Sequence, residues 1–129
     1  MRKSDAVAIV DGYVSQLRRD MEIVRWGDGF CVVTPMLNRD NDLMNVYISE
    51  LPSRSVVISD LGETIGDLEL SGFEMTDERM ARIDAIAARY GVSIKDCELY
   101  VEGSKRDVAG KMDMLIQAMA VVDDICCDR

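Results

Sequence analysis

The sequence predicts an α+β fold: one domain over residues 1–129, with a largely antiparallel sheet of four to five strands packed with helices. Three observations carry this. The strand-like segments come mostly as neighbours joined by short polar or glycine-bearing links, which favours antiparallel pairing without long crossovers. Other segments repeat apolar residues at helical spacing. The 129 residues are 48% hydrophobic and 30% charged, which suits a single domain able to bury roughly two thirds of its unfolded surface.

The predicted order is α-β-β-β-β-α-α-β-α. Residues 4–19 read as a helix, with Ser4 as its cap and Asp5 at its positive end. Val7, Val10, Val14 and Leu17 form its apolar stripe. Residues 21–26 and 29–34 read as a hairpin around Gly27-Asp28-Gly29, and Pro35, which lacks a ladder donor, is expected to end the second strand. The polar loop Asn38-Arg39-Asp40-Asn41-Asp42 leads to strands at 43–49 and 54–59. Asp60-Leu61-Gly62 turns the chain into a short helix at about 63–70. Thr76 caps a helix at 77–90 with the stripe Met80, Ile83, Ala87 and Tyr90, and Gly91 stops it. A strand at 97–101 follows. Ser104 caps the last helix, whose stripe is Val108, Met112, Leu115, Met119 and Val122.

Composition excludes several chemistries. There is no histidine, so the commonest general base, metal ligand and pH switch are all missing. No apolar run approaches the roughly 20 residues of a spanning helix, and no signal-peptide core is visible. Cys31 and Cys97 are expected to be buried, and at most one of the adjacent Cys126 and Cys127 to face the core. Gly110-Lys111 lacks the glycine and hydroxyl residue of a phosphate loop, having Lys105 and Met112 at those positions. The Asp40-Asn41-Asp42 loop fits no calcium-loop register. A looser cluster of Asp40, Asp42, Asp60 and Glu63 would suit a divalent metal, but no lysine stands beside it in the pattern of a nuclease core. The plainer reading makes Asp40 and Asp42 Asx-turn residues and Asp60 the cap of the following helix.

The net charge of −9 is uneven. Residues 60–84 hold eight acids (Asp60, Glu63, Asp67, Glu69, Glu74, Asp77, Glu78 and Asp84) against Arg79 and Arg82, a net −6. Residues 1–59 carry −1 and residues 85–129 carry −2. Such a stretch repels nucleic acid and suits a basic partner. Solubility and acids at two helix starts account for some of it with no partner at all.

The central block runs Thr34-Pro35-Met36-Leu37-Asn38-Arg39-Asp40-Asn41-Asp42, then Val46-Tyr47-Ile48, then Ile58-Ser59-Asp60-Leu61-Gly62-Glu63-Thr64-Ile65 and Leu68-x-x-Ser71-Gly72. Tyr90-Gly91-Val92 and Glu98-Leu99-Tyr100-Val101 follow. Over roughly residues 30–102 this resembles a bacterial and phage family, domain of unknown function 1828. The family pattern commonly has a second Asp where this chain has Leu61, which weakens a metal reading of that turn. The resemblance brings no established activity. It implies a prokaryotic or phage-infected cytoplasm, where small acidic proteins often act against host defence.

The expected function is therefore a non-enzymatic acidic binding protein, with no catalytic residue and no cofactor. Glu63, Asp67, Glu69, Glu74, Asp77 and Glu78 would form its contact surface. By analogy with that setting, it would inhibit a basic, nucleic-acid-binding host protein of the CRISPR type, without binding nucleic acid or membrane itself. One alternative is a metal-dependent, nuclease-like enzyme using Asp40, Asp42, Asp60 and Glu63. Another is a regulatory module that forms a homodimer, through an exposed Met-rich helix face.

Overall fold

A computed structural model describes residues 1–127. The chain runs α1 (Lys3–Asp20), β1 (Glu22–Trp26), β2 (Gly29–Leu37), β3 (Leu43–Glu50), β4 (Val56–Ser59), α2 (Glu63–Leu70), α3 (Asp77–Arg89), β5 (Ser93–Lys95), β6 (Glu98–Gly103) and α4 (Val108–Asp123). A 3-10 turn, Asp124–Cys127, follows. The fold is α+β, as expected, and all six strands form one antiparallel sheet in the order β1-β2-β3-β4-β6-β5.

The sheet holds one strand more than the sequence predicts. Ser93–Lys95 pairs with Glu98–Gly103 around a two-residue turn, Asp96-Cys97, in which both residues have positive φ (52° and 63°). That is the geometry of a tight hairpin, usually signalled by Asn-Gly. Cys97 is consequently exposed at the turn rather than buried. Cys31 is buried as expected, and Cys126 is half-buried against the core. Cys127's side chain lies outside the described residues.

Pro35 does not end β2, which continues to Leu37. The register with β3 slips between Val33 and Leu37, so Pro35 sits where no ladder donor is needed. Thr34 stitches this irregularity. Its hydroxyl donates to the Met44 carbonyl at 2.8 Å and accepts from the Met36 amide at 3.2 Å. At the β1–β2 turn, Gly29 is sterically required. A Cβ there would lie 2.0 Å from the Ile48 carbonyl oxygen.

One face of the sheet carries the core. Val32, Val46, Ile58, Leu99 and Val101 pack with Ile65 and Leu68 of α2, Ile83 and Ala87 of α3, and Leu115, Met119 and Val122 of α4. α4 lies along β6 and β4 and touches α2 and α3. The Thr76 side chain caps α3 by accepting from the Arg79 amide at 3.2 Å. Ser104 is not the cap of α4, whose first flanking residue is Asp107; Ser104 lies one turn earlier, where its carbonyl accepts from the Val108 amide at 3.0 Å.

α1 begins a residue earlier than predicted, and Ser4 lies inside it. The Asp5 carboxylate accepts from the Arg2 amide at 2.8 Å instead. Its stripe is largely uncovered: no residue of α1 is buried, and only Leu17, near where α1 meets β2, is half-buried. No helix among the described residues is long and apolar enough to cross a membrane.

Candidate functional site

The turn Asp60-Leu61-Gly62 enters α2 with Leu61 and Gly62 both at positive φ (52° and 79°), a conformation that favours glycine at the second position. Asp60 is fully buried. One of its oxygens accepts from the Gly62 amide at 2.8 Å and the Leu99 amide at 3.0 Å, and the other from the Thr64 amide at 3.2 Å. Asp60 thus satisfies the first amides of α2, as the capping reading expects, and also ties that helix to β6. Burial pushes its carboxyl pKa up, against the pull of Thr64 and the amides. Nothing in this arrangement leaves Asp60 facing a ligand.

The β2–β3 loop is organised by Asn38, whose side-chain oxygen accepts from the amides of Asp40 (2.9 Å) and Asp42 (3.0 Å). Asn38 therefore makes the Asx turn that the sequence assigns to Asp40 and Asp42. Arg39 then anchors the loop to two helices. Its amide donates to Asp123 Oδ2 at 2.7 Å, and its guanidinium pairs with Asp123 Oδ1. The same guanidinium reaches the Asp67 carbonyl at 3.2 Å and Ser71 Oγ at 2.6 Å.

Between this loop, α2 and the end of α4 lies an open cleft of about 340 Å³. Asp42, Glu63, Asp67 and Asp123 line it, together with Asn38 and Asn45. Glu63 accepts a hydrogen bond from the Tyr47 hydroxyl. Burial raises the Glu63 pKa, partly offset by Tyr47, and the charges of Asp67 and Asp60 raise it further. Burial also raises the Asp67 pKa. Arg39 lowers it, while Asp123, Asp40 and Asp42 push it up again. Asn45 contributes a buried side-chain oxygen that has no hydrogen-bond partner.

The six acids expected to form one surface are split in two. Glu63 and Asp67 belong to the cleft. Glu69, Glu74, Asp77 and Glu78 are exposed at the end of α2 and the start of α3. There the arginines interleave with them: Arg79 lies 4.2 Å over the Phe73 ring and donates to the Glu74 carbonyl at 2.6 Å. The four candidate metal ligands are also divided. Asp42 and Glu63 line the cleft, Asp40 lies in the loop, and Asp60 is used up by backbone amides. Among the described residues, no group of three or more carboxylate or cysteine side chains is placed to hold a metal ion. Sequence reasoning missed Asn38, Arg39, Tyr47 and Asp123. The one readable signal was Arg39, the single base within an acidic loop.

The site is thus an acidic cleft at the end of an antiparallel sheet, built on the loop and turn that carry the central sequence block. Residues 34–122 match the model of the family described as Domain of unknown function DUF1828, and the chain belongs to that family. The match runs past the turn and β6 through nearly all of α4, further than the motifs alone indicate. No curated protein and no solved structure matches the chain.

Proposed function

We propose that the protein is a non-enzymatic binding protein whose cleft receives a basic side chain of a partner protein. The observation that carries this reading is the crowding of Asp42, Glu63 and Asp67 on one cleft, while the nearest cation, Arg39, is committed to Asp123. Glu63 and Asp67, pushed up by burial and then by neighbouring carboxylates, are relieved by an incoming guanidinium or ammonium group. Glu69, Glu74, Asp77 and Glu78 would add long-range attraction rather than contacts. The finer reading is that the partner is a nucleic-acid-binding protein of a host defence system of the CRISPR type. The acids would then stand where phosphates bind and so inhibit it.

Calorimetric titration with an arginine-rich peptide tests the cleft. Asp42→Asn with Asp67→Asn should weaken binding at least about tenfold, in keeping with charge-assisted pairs. Glu69→Gln with Glu78→Gln removes the same charge elsewhere and should change affinity less than about twofold, as rim charges do. Equal losses from both pairs would reduce the effect to net charge and sink the reading.

A further inference from the structure

α1 is an 18-residue helix with no buried residue. Helices in proteins draw most of their stability from packing an amphipathic face, and α1 also contains Gly12, a poor helix former. Its apolar side is nonetheless broad: Val7, Val10, Tyr13 and Val14 share it, each about half exposed or more. Directly after it comes β1, every residue of which is exposed. Ile23 points to one side of the sheet, and Val24 and Trp26 point to the other.

The two edges of the sheet are built differently. β5, at one edge, is three residues long and carries Lys95, the usual protection of an edge against pairing. β1, at the other edge, is five residues long and less protected, with only Glu22 and Arg25 charged. Its sequence is Glu-Ile-Val-Arg-Trp, it carries neither lysine nor proline, and its outer side has no strand beside it.

We propose that this surface is a self-association face, in which two copies pair their β1 strands antiparallel about a two-fold axis and cover each other's α1 stripe. An isologous contact must be self-complementary, and β1 meets that condition when centred on Val24. Val24 then faces the second copy's Val24, Glu22 faces its Trp26, and Ile23 faces its Arg25, so no like charges are opposed. The register also sets Met21, where α1 ends, beside the second copy's β1–β2 turn. Nine large apolar side chains between residues 7 and 30 are exposed. Half-exposed groups of this size offer on the order of 900 Å². Summed over both sides of the β1 edge, that matches the roughly 800 Å² per partner of a stable interface.

Sedimentation equilibrium of the full chain at tens of micromolar should give twice the 14.4 kDa chain mass. Val10→Lys with Val14→Lys should return it to the single-chain mass with an unchanged near-ultraviolet spectrum, because both side chains are more than half exposed. Val24→Cys in a Cys31→Ala, Cys97→Ser background, which removes the thiol paired with position 24 in the same chain, should form a disulfide-linked dimer under mild oxidation, since facing Cα atoms in the pair lie about 4.5–5.5 Å apart. A wild-type chain that stays at single-chain mass would overturn the proposal. So would a dimer that survives the paired lysines or in which Val24→Cys does not cross-link.

Discussion

In α4, Leu115, Ala118, Met119 and Val122 repeat at helical spacing, and all are at most 3% exposed. In α1, Val7, Val10 and Val14 repeat at the same spacing and are 49%, 56% and 56% exposed. α4 lies in the part of the chain matched by the family model, and α1 lies ahead of it. The body spends its apolar residues on its own core and leaves acids at its cleft. α1 and β1 do the reverse, presenting apolar side chains outward. Amphipathic spacing states that a helix needs a partner, but not whether that partner is in the same chain.

The comparison breaks first at Arg39. Arg39→Ala should cost about 3–5 kcal/mol in urea unfolding, because it strands the buried Asp123 carboxylate. A loss below about 1 kcal/mol, the range of a surface pair, would mean the loop is not anchored as described. Next comes packing. Leu115→Ala should cost about 2–5 kcal/mol as a core truncation.

A smaller effect is expected at Glu63, and its sign is definite. Burial holds the folded carboxyl above its ordinary value. The fold therefore binds that proton more tightly than the unfolded chain. The stability Glu63 contributes falls as pH rises from the ordinary carboxylate value through the folded one. Glu63→Gln keeps an oxygen for the Tyr47 hydroxyl and removes this dependence. Melting curves from about pH 4 to pH 8 should show the variant gaining on the wild type as pH rises through that window. A difference that does not vary with pH would contradict the assigned environment.

The smallest effect belongs to the N-terminal region. Val14→Ala should change the unfolding free energy of dilute protein by less than about 0.5 kcal/mol, as surface substitutions do. A core-sized loss would show that α1 is packed on its own body after all.

Much of the fold was legible because it is local. Periodicity located α1, α3 and α4, and Gly27-Asp28-Gly29 located the first hairpin. Asp60 was readable as a helix cap from its place before a short helix. Its bond to the Leu99 amide was not readable, because it depends on β4 and β6 being neighbours. Arg39 and Asp123 are 84 residues apart, and nothing in either one's local sequence names the other. β5 was too short to register, and its turn uses Asp96-Cys97 where glycine would have been the signal. Pro35 misled for a physical reason: the missing donor forbids a regular ladder, but a bulge tolerates it. The acidic stretch was correctly seen as a concentration of charge along the chain. Folding then divided it, because Glu63 and Asp67 turn toward the cleft while Glu69, Glu74, Asp77 and Glu78 stay outside.

On the two proposals, the two regions serve different partners through different physics: an acidic cleft on the body and an apolar face ahead of it. Sedimentation velocity of the full chain with a labelled arginine-rich peptide, at low and at high salt, tests both at once. A dimer is expected at both salt levels, with peptide bound only at low salt, since screening acts on exposed charge and not on apolar contact. If peptide binding and dimer mass disappear together as salt rises, the two regions form one electrostatic surface, which contradicts their separation into cleft and apolar face.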